Sequence, residues 1–217
     1  MKFLNKTLTF FSALTFCVAA AAQQGIDNPH AQALAAVRAG NLAKVKDLIE
    51  RGGANLNSRN RIGDSLLAMA IKSRKQDIAN YLLDKGADAA LANTSKGTPL
   101  MAAAFNGDIA LVDRLLAVGV DVHAADEQKK TAMVYAAGQG QSEVVARLLR
   151  AGVDANARYA NDLTALMWAA GQGHAKTVTT LLENGADPSL KDNRGKTALD
   201  IAADTGHLDV RKALGGR

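Results

Sequence analysis

The stretch Thr164–His174, TALMWAAGQGH, decides the fold, because the chain repeats it with small changes at a fixed interval. TPLMAAAFNGD begins at Thr98, TAMVYAAGQGQ at Thr131 and TALDIAADTGH at Thr197, so the opening threonines stand 33 residues apart. Gly107, Gly140, Gly173 and Gly206 keep the same register. So do Gly86, Gly119, Gly152 and Gly185, and the pairs Leu82-Leu83, Leu115-Leu116, Leu148-Leu149 and Leu181-Leu182. One period earlier Ser65 takes the threonine position, with Leu67 and Ala70 in the matching apolar slots. A degenerate first unit, ALAAVRAGNLAKVKDLIERGGANLN, carries one extra glycine, Gly53. A fixed period of this length marks modules that bury their apolar faces on one another, an architecture built for binding.

Each unit reads as two short helices and a turn. A Thr or Ser hydroxyl accepts an orphan amide of the first turn, and Pro99 suits the position after the cap, where no amide hydrogen is needed. The first glycine ends helix one. Apolar residues then return at helical spacing, as in Ile109, Val112, Leu115 and Leu116, and the second glycine ends helix two. Leu116, Leu149 and Leu182 are expected to be buried where successive units meet. Asp88, Asp121, Asp154 and Asp187 share one position, which predicts a common turn role rather than catalytic carboxylates.

These residues resemble the ankyrin repeat family over about 180 residues, from His30 to Leu214. The resemblance implies an all-α repeat solenoid of about six stacked units, each a helix-turn-helix with a projecting β-hairpin. The units are placed at 30–62, 63–95, 96–128, 129–161, 162–194 and 195–214, with the ends as caps and 215–217 frayed. The family pattern T-P-L-H has its histidine replaced here by Ala68, Met101, Val134, Met167 and Asp200. Imidazole bonds between units are therefore expected to be absent. Arg74 stands where glycine ends helix one elsewhere, a left-handed site costing a non-glycine residue about 1 kcal/mol or more.

Residues 1–22 read apart from the repeats. Lys2 and Lys6 precede an apolar run from Leu8 to Val18, then Ala19–Ala22, the form of a secretory signal peptide cleaved after Ala22. The run is shorter than the ~20 residues of a membrane span. Cys17, the single cysteine, lies inside it and follows the bulky Phe16, a poor lipoprotein site; the chain beyond, opening with the short segment 23–29, has no thiol and no disulfide framework. The leader style points to the bacterial periplasm, with secretion beyond the cell as the alternative. Without Lys2 and Lys6, basic residues fall from 26 to 24 against 21 acids. The excess gathers around Arg59, Arg61, Lys72, Arg74 and Lys75, which reads as a solvated face or an edge for an acidic partner rather than a nucleic-acid stripe.

No motif carries chemistry. H-E-x-x-H, G-x-S-x-G and P-loop spacings are absent from the sequence. His174 and His207 share a repeat position, and His123 sits in a turn. Gly138-Gln139-Gly140 and Gly171-Gln172-Gly173 lack a strand-loop-helix setting and read as helix stops. The chain is expected to be a non-enzymatic, monomeric protein-binding scaffold with no cofactor. A haem or small-molecule module using Met101, Met167, His123 and Tyr135 is a remote alternative, since the methionines occupy a core slot.

The resemblance places the partner on the concave side, on the hairpin tips and the exposed edge of the first helices. The fourth residue after each cap holds Met69, Ala102, Tyr135, Trp168 and Ile201, so two large aromatics are expected side by side. Phe105, Gln139, Gln172 and, from a tip, Tyr159 complete the candidate partner-binding set. Aromatics among short polar side chains bury much area with few rotors, as protein-binding hot spots do. Three jobs fit: assisting envelope or peroxide-stress defence, neutralising a periplasmic toxin as an immunity protein, or acting as a secreted, host-directed effector.

Overall fold

The computed structural model describes residues 28–216. The expected signal peptide with Cys17, residues 23–27 and Arg217 lie outside the described residues. Within them, twelve α-helices form six consecutive pairs: α1 (Pro29–Ala39) and α2 (Leu42–Glu50), α3 (Leu66–Lys72) and α4 (Gln76–Asp84), α5 (Pro99–Asn106) and α6 (Ile109–Ala117), α7 (Ala132–Gly138) and α8 (Ser142–Arg150), α9 (Ala165–Gly171) and α10 (Ala175–Glu183), and α11 (Ala198–Asp204) and α12 (Leu208–Ala213). Each first helix packs on the first helix of the next unit, and second helices stack alongside.

The caps explain where helices start. The hydroxyls of Ser65, Thr98, Thr164 and Thr197 accept the amide three residues on, at 3.1–3.3 Å. The slot left without histidine closes the cap from the other side: Met101 and Met167 offer sulfur to the threonine amide at 3.5 Å, and Asp200 offers a carboxylate oxygen at 2.9 Å. The Thr197 amide and then its hydroxyl hold the Asp200 carboxyl below the usual carboxylate range. Both sulfurs are thereby committed within buried residues.

The first helices of the four inner units are buried nearly all round. Every residue from Leu66 to Ile71 is buried, and Ala103, Ala104, Ala136, Ala137, Ala169 and Ala170 allow close approach. Second helices bury one stripe. The leucine expectation is corrected by the structure: Leu115, Leu148 and Leu181 are fully buried, whereas Leu116, Leu149 and Leu182 are only partly so. Helical geometry gives the reason, since Leu148 lies three and four residues after Val145 and Val144 on the buried face, and Leu149 is turned about 100° away.

The expected β-hairpins are reduced to tight tips. Among the described residues the only bridge is Arg59 with Ser65, and each tip closes with a pair of backbone bonds, such as Asp126 N–H to the Lys130 carbonyl at 3.0 Å and Lys129 N–H to the Asp126 carbonyl at 2.9 Å. A side chain does the rest. Asn60, Asn93, Asp126 and Asp192, each five residues before a cap, accept amides two and four residues on at 2.8–3.1 Å. Such Asx turns compete with strand pairing for the same amides. Backbone bonds also run from tip to tip: Thr94 N–H to Ile62, Glu127 to Ser95 and Asn193 to Asn161, all at 3.1 Å. The regular aspartates do share a turn role, since Asp88, Asp121, Asp154 and Asp187 each accept the amide two residues on at 2.8–2.9 Å.

Imidazole bonds between units are present after all, from a slot whose sequence pattern points only to a turn. His174 Nε2 donates to the Gly138 carbonyl at 3.1 Å and His207 Nε2 to the Gly171 carbonyl at 3.2 Å. Gln141 Nε2 plays the same part toward Phe105 at 3.3 Å. Each side chain follows a helix-ending glycine and satisfies a carbonyl that the preceding unit's first helix leaves without an internal partner. Gly140 and Gly173 make room for it: both are left-handed, at φ 72° and 79°, and a Cβ on either would fall 2.7–2.8 Å from the imidazole above. Arg74 adopts the left-handed conformation without glycine, at φ 54°. Above it Asp108 caps its own helix and accepts from Gln76 Nε2 at 2.8 Å, and Asn106 Nδ2 donates at 2.6 Å to the Ile71 carbonyl, one residue before the slot of Phe105, Gly138 and Gly171.

Two outcomes follow for stability. Leu148→Ala is expected to cost ~2–5 kcal/mol in urea denaturation, and Leu149→Ala about half that or less; equal losses would contradict this burial phase. Gly140→Ala is expected to cost about 1–3 kcal/mol from backbone strain and the displaced imidazole. Adding His174→Ala to it should cost less than the sum of the two single changes, and strict additivity would show that the ring and the Cβ do not compete.

Candidate partner-binding surface

The fourth residue after each cap sits one turn into the first helix, on the edge beside the tips. Ala102 leaves a hollow there, whereas Tyr135 and Trp168 fill it. The result is a groove of about 490 Å³ under the tips, floored by Met101, Ala102, Phe105 and Tyr135 and walled by Ser95, Asp126 and Glu127. Next to it lies a recess of about 210 Å³ that shares Phe105 and Tyr135 and adds Lys130, Gly138, Gln139, Trp168 and Gln172.

Five of the six candidate residues, Phe105, Tyr135, Gln139, Trp168 and Gln172, thus surround one recess. Phe105 is 44% exposed and meets Tyr135 edge-on, with centroids 6.2 Å apart at 70°. Tyr135 and Trp168 line this recess together without ring-on-ring contact. The Lys130 ammonium lies over both instead, 5.9 Å from the Tyr135 centroid and 5.2 Å from that of Trp168, within the range where a ring quadrupole attracts a cation. The Trp168 indole N–H is buried without a hydrogen-bond partner.

Tyr159 does not join the recess. It occupies the tip position held elsewhere by Asn or Asp, and packs against the hydrophobic core. Lacking that anchor, its tip forms a 3-10 turn over Ala160–Asp162 with Asn161 and Asp162 both left-handed. Burial pushes the Tyr159 phenol up, and the neighbouring Thr131 hydroxyl acts in the opposite direction. Thr131 is also the cap threonine whose hydroxyl makes no cap bond.

Lys130 is a member of the recess that no sequence motif marks. It stands one residue before a cap, and two other units show where that slot points. Asp64 pairs with Lys72 at 2.6 Å, and Lys196 pairs with Asp204, each bridging from the residue before the cap to the seventh after it. In the Lys130 unit the seventh residue is Gly138. The basic cluster expected in the first units is largely occupied: Lys72 by Asp64, Arg59 by the Gly63 and Ala92 carbonyls, and Lys75 by packing over Gly40.

Tyr135 completes the tip. Its hydroxyl donates to Asp126 Oδ2 at 2.6 Å, while Asp126 Oδ1 accepts the Gln128 and Lys130 amides at 2.9 Å. Desolvation first, then this bond and the Asp126 charge, push the phenol up to about 12.

A stack of helix pairs with an aromatic recess beneath its tips is an interaction solenoid, and among the described residues no cluster of acidic, histidine or cysteine side chains is placed to hold a metal, nor is any helix long and apolar enough to cross a membrane. The family model for ankyrin repeats, in three copies, matches residues 89–159 and 133–216. The chain belongs to the ankyrin repeat family, whose members generally serve as non-enzymatic protein-interaction modules. It is similar to an ankyrin repeat protein of Acanthamoeba polyphaga mimivirus, 38% identical over 69 residues, which is 32% of this chain and 9% of that protein's length.

The raised phenol gives a pH test. Its folded value lies above the ordinary 10.0, so the stabilisation from the neutral form is complete below pH 10 and is lost as pH rises through about 12. Phenolate absorbance should show a last ionisation step near pH 12 that Tyr135→Phe removes; its persistence in that variant would assign the step elsewhere.

Proposed function

We propose that the chain is a scaffold or adaptor that holds another protein against the tips and first helices, with the Phe105, Tyr135 and Trp168 recess as the centre of contact. One observation carries this reading: half-buried aromatics and a cation with no acidic partner among the described residues are gathered on the face that the repeat leaves open. Large rigid side chains lose little rotamer freedom on binding, so truncating one is costly. We place the protein in the bacterial periplasm on the strength of the basic, apolar and alanine-ended leader at residues 1–22. A role beside an envelope or peroxide-stress enzyme fits a cysteine-free scaffold, since residues beyond Cys17 offer no thiol to oxidise.

The test is a pull-down from periplasmic extract with the chain from Gln23 onward, set beside its Trp168→Ala form. A partner held by the first is expected to lose ~2–4 kcal/mol of affinity in the second, with helicity intact by circular dichroism. Full affinity in the variant would move the contact off this recess, and recovery of the protein from culture supernatant alone would overturn the periplasmic placement.

A further inference from the structure

Lys130 is left without a counter-ion by the internal logic of the repeat. The residue before a cap and the seventh residue after it are neighbours in space, and two units fill this pair with opposite charges, Asp64 with Lys72 and Lys196 with Asp204. The unit capped by Thr131 supplies the cation and omits the carboxylate, since its seventh residue is Gly138. The omission leaves usable space: a Cβ on Gly138 would meet one atom within 4 Å, Trp168 Cε3 at 3.9 Å. Lys130 lies over two aromatic faces, and among the described residues it has no ion pair.

The surroundings favour an anion. The recess is lined by Lys130 and the Gln139 and Gln172 amides, and no acidic side chain lines it. Asp126, the nearest carboxylate in the tip, already accepts from two amides and the Tyr135 hydroxyl. The larger groove beyond Phe105 is different, because Glu127 and Asp126 form part of its wall and the one ammonium that lines it, Lys72, is paired with Asp64. An acidic group is thus matched in the recess and opposed in the groove.

We propose that the recess takes an aspartate or glutamate side chain of the partner protein, its carboxylate seated over Gly138 against the Lys130 ammonium, in the place that Asp204 holds beside Lys196 in the last unit. The flanking partner residue is apolar and lies on Phe105. This rests on the scaffold reading above and names the chemistry its partner must present.

The chain's single tryptophan, Trp168, reports on the recess directly. A random peptide library displayed on phage is panned against the full chain, against Lys130→Met and against Gly138→Asp, which places a carboxylate beside Lys130 from within. The best peptide and its Glu→Gln or Asp→Asn form are then titrated by Trp168 fluorescence. Peptides selected by the unaltered chain are expected to share an acidic residue beside an apolar one. The neutral peptide should bind about tenfold more weakly, with a similar loss in both variants and recovery in Lys130→Arg. Circular dichroism checks that each variant is folded, and Glu183→Gln, an exposed carboxylate outside both the recess and the groove, serves as a control that keeps binding. Selected peptides that perturb Trp168 yet show no acidic preference, or bind Lys130→Met equally well, overturn the carboxylate site and leave the scaffold standing. Selection of no peptide that perturbs Trp168 removes this face as the binding surface, and the carboxylate site with it.

Discussion

Each unit after the first ends its first helix after about two turns, and a helix that short leaves carbonyls it cannot satisfy itself. Everything else in the stack depends on their being satisfied from the next unit. Gln141, His174 and His207 reach back over a glycine to the Phe105, Gly138 and Gly171 carbonyls, and the glycine is required because any Cβ would stand where the reaching side chain passes. These three residues begin their own second helices without a side-chain cap bond, whereas Asn41 and Asp108 cap theirs. One position therefore serves its own helix, its neighbour's, or both. Asp108, an acceptor with two oxygens, caps its own helix and also accepts from Gln76 of the preceding unit, while Asn106 donates to the Ile71 carbonyl.

The same economy runs along the tips. A carboxylate or amide five residues before the cap gathers two amides, and the tip beside it adds one backbone bond to its neighbour. Position in the repeat fixes where a side chain points, so a change of residue type at a fixed slot changes chemistry without changing geometry. Tyr159 in the anchor slot is the exception, since its tip turns through a 3-10 segment with an extra left-handed residue. Gly138 in the charge-pair slot frees Lys130 for two aromatic faces. The surface is assembled from exceptions to the repeat, laid on a frame that the repeat holds still.

Period, caps and glycines are legible in the sequence because each is a local requirement of one residue type: a hydroxyl at the cap, a left-handed glycine at the stop. The choice of buried leucine is not, since adjacent leucines differ only in helical phase, and Val144 and Val145 have to be read as the reference face. The linking imidazoles escape the sequence pattern because histidine is expected in the cap slot, where Met101, Met167 and Asp200 instead close the cap within their own unit. Phe105, Tyr135 and Trp168 can be placed on one edge by counting from the cap. Lys130 answers to no motif, yet aligning Asp64, Lys130 and Lys196 against Lys72, Gly138 and Asp204 exposes the broken pair.

Gly138 joins the frame to the surface. Its carbonyl is held by His174 of the following unit, while its Cα faces the recess that Trp168, from that same unit, helps to wall. The bond that locks two units together therefore also sets the spacing of Tyr135 from Trp168, and with it the position of the ammonium between them. A contact surface fixed in this way has little left to order when a partner arrives, and affinity gains from every degree of freedom already removed. The recess therefore stands where two units bond at a helix end rather than on a free loop, and Lys130 and Gly138 give it its chemistry on a frame that the repeat already holds in place.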